Sequence, residues 1–171
     1  MGIMVTRPRL ILLLIFANDF VTMSLATDKV SFSPKPNRWN IRSLVIIGLI
    51  LSTAWLLFSF GVLLVGQYIL KLPLAQLQTL VFVMLVFSGQ ANVYLVRERH
   101  HFWHSRPSRW LAFGTTVDVI IVSWFAAQGL LMSAIDFGLI VGLLGATIVF
   151  MIVLDFLKIG VFQHFMNMSG D

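Results

Sequence analysis

The sequence predicts an all-α protein: a polytopic transmembrane helical bundle of about five spans, forming one domain over residues 1–171. Three observations predict it. Hydrophobic residues make up 58% of the chain and charged residues 11%, against about 45–50% and about 25% in soluble domains. Five apolar runs, each near the ~20 residues a helix needs to cross a bilayer, are separated by polar breaks. Those breaks alternate between strongly basic and nearly uncharged, as expected of loops on opposite sides of a membrane.

The spans fall at residues 10–26, 43–66, 76–96, 110–132 and 137–165. The first is short and polar for a lone helix and calls for neighbours. Arg7 and Arg9 precede it as in a signal peptide, but no small-x-small cleavage site follows before Asn18 and Asp19, so the reading is a retained span. Pro34 and Pro36 prevent a continuous helix between the first two spans. The fifth span exceeds what a bilayer requires and is expected to tilt or to extend past the interface. Within it, Gly138-x-x-x-Gly142-x-x-x-Ala146 forms a small-residue stripe that would let another helix approach closely.

Charge orients the spans. Lys29, Lys35, Arg38 and Arg42 lie between the first and second, and Arg97, Arg99, Arg106 and Arg109 between the third and fourth. The link at residues 67–75 carries only Lys71, and the one between the last two spans only Asp136. The positive-inside rule therefore puts both basic loops and the C-terminus in the cytoplasm, and the N-terminus outside. The formal net charge of +5 is thus a topological and lipid-facing charge. No nucleic-acid motif accompanies it, so nucleic acid is not an expected partner, whereas membrane lipid is. The absence of cysteine excludes disulfides and thiolate metal sites.

A few polar residues inside the spans are candidates for chemistry. Asp19 sits in the first apolar run, where a carboxylate costs about 2.5–3.5 kcal/mol on insertion scales. Asn18 is beside it, and Thr22 shares its helix face. The functional reading is a proton acceptor or part of a cation site; the bland one is a buried structural carboxylate. Ser88, Gly89, Gln90 and Asn92 interrupt the third span, either lining a polar cavity or serving helix–helix hydrogen bonds and packing. Asp118, in the fourth span, is either an ion-pathway residue or an interhelical partner. Asp155 and Lys158 are three apart on one helix face, the spacing of a structural ion pair. His100, His101 and His104 suggest a metal cluster at first sight, but nothing completes the ligand set. An interfacial basic-aromatic loop with Phe102 and Trp103 is the better reading, and no metal site is expected.

The strings Phe16-Ala-Asn-Asp-Phe-Val-Thr-Met-Ser-Leu-Ala-Thr-Asp28-Lys29-Val30 and Ser33-Pro34-Lys35-Pro36-Asn-Arg-Trp39 resemble the sixth membrane helix and following loop of plasma-membrane-type P-type proton-transporting ATPases. Ser88-Gly-Gln-Ala91, the basic aromatic segment 97–107 and Leu154-Asp155-Phe-Leu-Lys158 are similar to that family's eighth to tenth helices, in the same order. The first motif is quite specific; the later ones persuade by order. The resemblance implies that Asp19 is the membrane aspartate the family uses as proton acceptor and donor, and that Asn18 is its usual neighbour. It also implies a sixth helix running outside to inside and a cytoplasmic C-terminus in the cell membrane, in agreement with the charge argument.

The chain departs from the family in one large respect. It has no Asp-Lys-Thr-Gly-Thr phosphorylation sequence and no Thr-Gly-Glu dephosphorylation loop, and Asp28-Lys29 is followed by Val30 and Ser31. Phosphoryl transfer needs a nucleophile, Mg²⁺ ligands and a phosphate cradle. No catalytic residue is therefore expected, nor ATPase activity from this chain alone; ATP and Mg²⁺ belong to the family's catalytic domains. The expectation is a membrane-domain fragment or subunit, partnered by the N-terminal remainder of a P-type ATPase. Ca²⁺ takes 6–8 oxygen ligands, whereas the first span offers one carboxylate, so the proton is the favoured ion. The alternatives are a stand-alone multi-span scaffold or assembly protein, and a passive channel formed by oligomers.

Overall fold

The computed structural model describes residues 8–25, 41–97 and 106–168. They form five helices, with no strand among the described residues: α1 (Pro8–Leu25), α2 (Ile41–Leu64), α3 (Leu74–Arg97), α4 (Arg109–Gln128) and α5 (Phe137–Met168). Helices are dictated by the solvent. In hydrocarbon every backbone amide must be satisfied within its own segment, and runs of Leu, Ile, Val and Phe supply side chains that lipid accepts. Four of the helices are long and apolar enough to cross a membrane within the described residues. α1, at 18 residues, would reach about 27 Å at ~1.5 Å per residue, close to a bilayer core. The 32 residues of α5 would reach about 48 Å, so this helix tilts or projects beyond the hydrocarbon.

α3 is the hub. It packs against α1, α2, α4 and α5, while the outer helices meet in the order α1–α4–α5–α2. The ring is open: among the described residues α1 and α2 do not touch. Phe82, Val83, Met84, Val86 and Phe87 of α3 are almost fully buried and form the core with Val122, Ala126, Ile140 and Leu143. A second cluster, around Ile47, Leu51, Leu95, Met151 and Leu154, joins α2, α3 and α5.

The helix ends explain where the observed spans differ from the expected ones. α2 continues through a π-helical turn at Val65–Ile69. It stops at Lys71, which has φ 48°, ahead of Pro73, which has no amide to donate. Gly66 lets the start of α3 pack closely here: a Cβ there would stand 2.7 Å from Leu77 Cδ1 and 2.9 Å from Leu80 Cδ2. α4 ends at Gln128, short of the expected 132, because Gly129 takes up the left-handed conformation (φ 71°) that closes a helix with little steric cost. The chain then turns back, with the Ile135 amide donating to the Ala126 carbonyl at 3.0 Å. Asp136 opens α5 by accepting from the Gly138 amide at 2.8 Å, a capping bond that satisfies one of the helix's free donors. Gln76 Nε2 reaches the Ala134 carbonyl at 3.0 Å, so the two weakly charged links sit together at one end of the bundle. Tyr68 near that end and Trp110 near the other are both exposed, as interfacial aromatics are.

The small-residue stripe of α5 does not draw a helix close. A Cβ on Gly142 would meet nothing within 4 Å, and Gly138, Gly142 and Ala146 instead line an apolar groove of about 400 Å³ facing Phe58, Gly61 and Val62 of α2. The reason lies further along the same pair. Phe58 stacks on Phe150 with ring centroids 4.6 Å apart, and Trp55 packs edge-on against Phe150 at 5.3 Å. Three large rings between α2 and α5 hold the helices apart where the stripe passes. The loops at 26–40 and 98–105, with Lys29, Lys35, Arg38, Arg99, His100, His101 and His104, lie outside the described residues.

Candidate functional site

Asp19 is the twelfth residue of α1, about 16 Å along the helix from Pro8 and about 9 Å from Leu25 at ~1.5 Å per residue. It is exposed on the outside of the bundle, and so is Thr22. The same helix exposes Leu12, Phe16 and Met23, at 60%, 72% and 76%. The side chain of Asn18 lies outside the described residues. α1 therefore buries one side against α3 and α4, through Leu13 and Leu14 among others, and presents a carboxylate elsewhere.

The remaining polar residues gather along α3. Gln90, itself buried, donates through Nε2 to Asp118 Oδ2 of α4. One helical turn on, the Tyr94 hydroxyl and Thr115 Oγ1 are 2.8 Å apart. Thr115 Oγ1 also lies 3.0 Å from the Leu111 carbonyl, an acceptor that takes the threonine's single proton and leaves Tyr94 as donor to Thr115. Next comes Leu95, whose carbonyl accepts from Lys158 Nζ at 3.1 Å. Lys158 Nζ is also 2.9 Å from Asp155 Oδ1, with both side chains buried. The structure thus brings together Gln90 with Asp118, and Asp155 with Lys158, and leaves Asp19 apart from both pairs. Asn92 is half-buried on α3, and Ser88 turns back to its own helix, donating to the Leu85 carbonyl at 3.1 Å.

Sequence reasoning missed the Tyr94–Thr115 rung. A signal existed: Tyr94 is four residues after Gln90 and Thr115 three before Asp118, so both belong to the faces that carry the first rung. It also placed Arg97 among the loop cations, whereas the structure buries it in the last turn of α3.

Asp118 stands midway along α4 and lines a cavity of about 230 Å³ with Leu13 and Phe16 of α1 and with Val117, Ile121 and Phe125 of its own helix. Among the described residues, no group of three or more His, Cys, Asp or Glu side chains could hold a metal ion.

Helices long and apolar enough to cross a membrane define a membrane domain, and the chain's relatives are named as cation-transporting or plasma membrane ATPases. Over 140 residues, 81% of the chain, it is 30% identical to a protein of Methanocaldococcus jannaschii named as a cation-transporting ATPase. It is 29% identical over 120 residues, 67% of the chain, to the plasma membrane ATPase of Kluyveromyces lactis, and 27% identical over 125 residues, 70% of the chain, to plasma membrane ATPase 1 of Saccharomyces cerevisiae. The chain matches a C-terminal membrane portion of P-type ATPases. It spans 17% of the first of these relatives and 13% of each of the other two. No protein-family profile matches the chain.

Proposed function

We propose that the chain is the membrane-embedded, ion-handling part of a proton-transporting P-type ATPase, with Asp19 as proton acceptor and Asn18 as its neighbour. One observation supports this reading: a carboxylate midway along the apolar helix α1, exposed on the outside of the bundle. Left facing lipid, that charge is costly. Covered by further helices, it becomes a protonatable group between two sets of membrane segments. The open side of the ring, where α1 and α2 fail to meet, is where those helices fit. The occupant is the remainder of a P-type ATPase, its catalytic domains and preceding membrane helices, on the same polypeptide or a separate one.

The chemistry needs little from this chain. Asp19 accepts a proton when open to one side and releases it when open to the other, and the alternation is driven by ATP and Mg²⁺ chemistry in the catalytic domains. The proton is favoured over Ca²⁺ because α1 brings one carboxylate, and one titratable group suffices for a proton. The membrane is the cell membrane, with both basic loops and the C-terminus in the cytoplasm.

A photo-crosslinking residue placed at Phe16 or Met23 tests the covering partner. Co-expressed with a P-type ATPase truncated before its sixth helix, the chain should capture that protein from both positions. The same probe at Val149, exposed on α5, should capture little. Equal yields from all three positions, or none from α1, would contradict the reading.

A further inference from the structure

We infer that Asp118 and Gln90 form a second proton-binding site within the membrane, separate from Asp19, with the α1–α4 cavity as its opening. Two independent observations carry the inference. Asp118 is the one ionisable side chain on the wall of that cavity, whose other lining residues are apolar. Gln90, the residue that holds it, is 5% exposed, and its Oε1 is buried without a hydrogen-bond partner.

The amide explains why the site binds a proton and does not simply anchor a charge. An ionised carboxylate only accepts hydrogen bonds, whereas a carboxylic acid also donates one. A lysine or arginine partner, able only to donate, serves the ionised form. Gln90 serves both. Its Nε2 donates to Asp118 Oδ2 as the structure stands; turned over, its Oε1 accepts from the protonated acid. The orphaned Oε1 is therefore the acceptor that protonation of Asp118 would use. In the step itself, a hydronium ion transfers one proton to the Asp118 carboxylate, forming an O–H bond and leaving one water molecule.

The surrounding charges do not substitute for this partner. α1 carries Asp19 on its exposed side, and α4 begins at exposed Arg109. On α3, Tyr94 is engaged with Thr115, and Arg97 ends the helix. On α5, Asp155 and Lys158 are paired, and Asp136 caps the opposite end. Gln90 is positioning, and Asp118 is the binding group. The inference does not rest on a pumping role and holds for the chain alone.

The full chain in liposomes, treated with dicyclohexylcarbodiimide over a pH series, tests it. This apolar reagent adds to protonated carboxyls: the acid O–H adds across an N=C bond and the adduct rearranges to a stable N-acylurea, which peptide mass spectrometry locates. Modification is expected at Asp118 and should decline as pH rises. Gln90→Leu should move the midpoint of that decline by several-fold in proton concentration, because the hydrogen bond it loses is stronger to the ionised carboxylate than to the acid. Absence of modification at Asp118 throughout the series would overturn the inference, and so would an unchanged midpoint in Gln90→Leu. If that variant does not accumulate, the wild-type titration decides: pH-dependent modification of Asp118 supports the site, and its absence refutes it.

Discussion

The best-defined charge in the bundle is the Asp155–Lys158 pair, 2.9 Å apart and buried between α5 and the Leu95 carbonyl of α3. Removing one member of a buried pair costs roughly 3–5 kcal/mol, because the remaining charge keeps its desolvation penalty. Lys158→Met is therefore expected to lower the amount of folded protein in membranes sharply. Asp155→Leu with Lys158→Met should recover much of the loss, since two apolar side chains can fill the same space. Quantifying all three proteins in isolated membranes checks this, and equal accumulation of single and double variants would remove the pair from the account. The pair was legible in the sequence because both members lie on one helix, at a spacing that helical geometry makes adjacent. Gln90 and Asp118 were legible only as separate residues. Their contact depends on how α3 and α4 are rotated against each other, and no periodicity within one helix encodes that. The exposure of Asp19 was hidden for the same reason: α1 is apolar on nearly every side, so its pattern does not say which side meets the bundle.

At the scale of elements, the apolar runs located all five helices, since backbone satisfaction in lipid leaves few other solutions. Their ends were less legible where a glycine decided them. Gly129 stops α4 while Leu130, Leu131 and Met132 continue the apolar run, so hydropathy alone overshoots. The stripe at Gly138, Gly142 and Ala146 was visible too, but not that Phe58, which stacks on Phe150, would face it across a groove. The links raise a question of sidedness. The turn after α2 and the turn before α5 share one end of the bundle, joined by Gln76 and Ala134, and both are poor in cations. That end is expected outside and the Lys29–Arg42 loop inside. Single cysteines at Gln67 and Ser33 should therefore react with an impermeant maleimide from opposite faces of sealed vesicles. Labelling of both from one face would contradict the topology.

For the whole molecule, the proposed function is what links the open ring with the charge on α1. Among the described residues, four helices surround α3 and close on one another everywhere except between α1 and α2, and α1 exposes Asp19 along with large apolar side chains. A bundle made only to stand in lipid gains nothing from a carboxylate there; one that completes a larger set of helices places the group where both halves can reach it. The chain spans 17% of one relative and 13% of another. The most direct measurement is ATP-dependent acidification of vesicles containing the chain together with a P-type ATPase truncated before its sixth helix. The account predicts that the pair acidifies the lumen and that neither component does so alone. It further predicts that Asp19→Asn, which keeps size and hydrogen bonding but does not titrate near neutral pH, abolishes the activity without preventing assembly. Normal acidification by the assembled Asp19→Asn pair would contradict it.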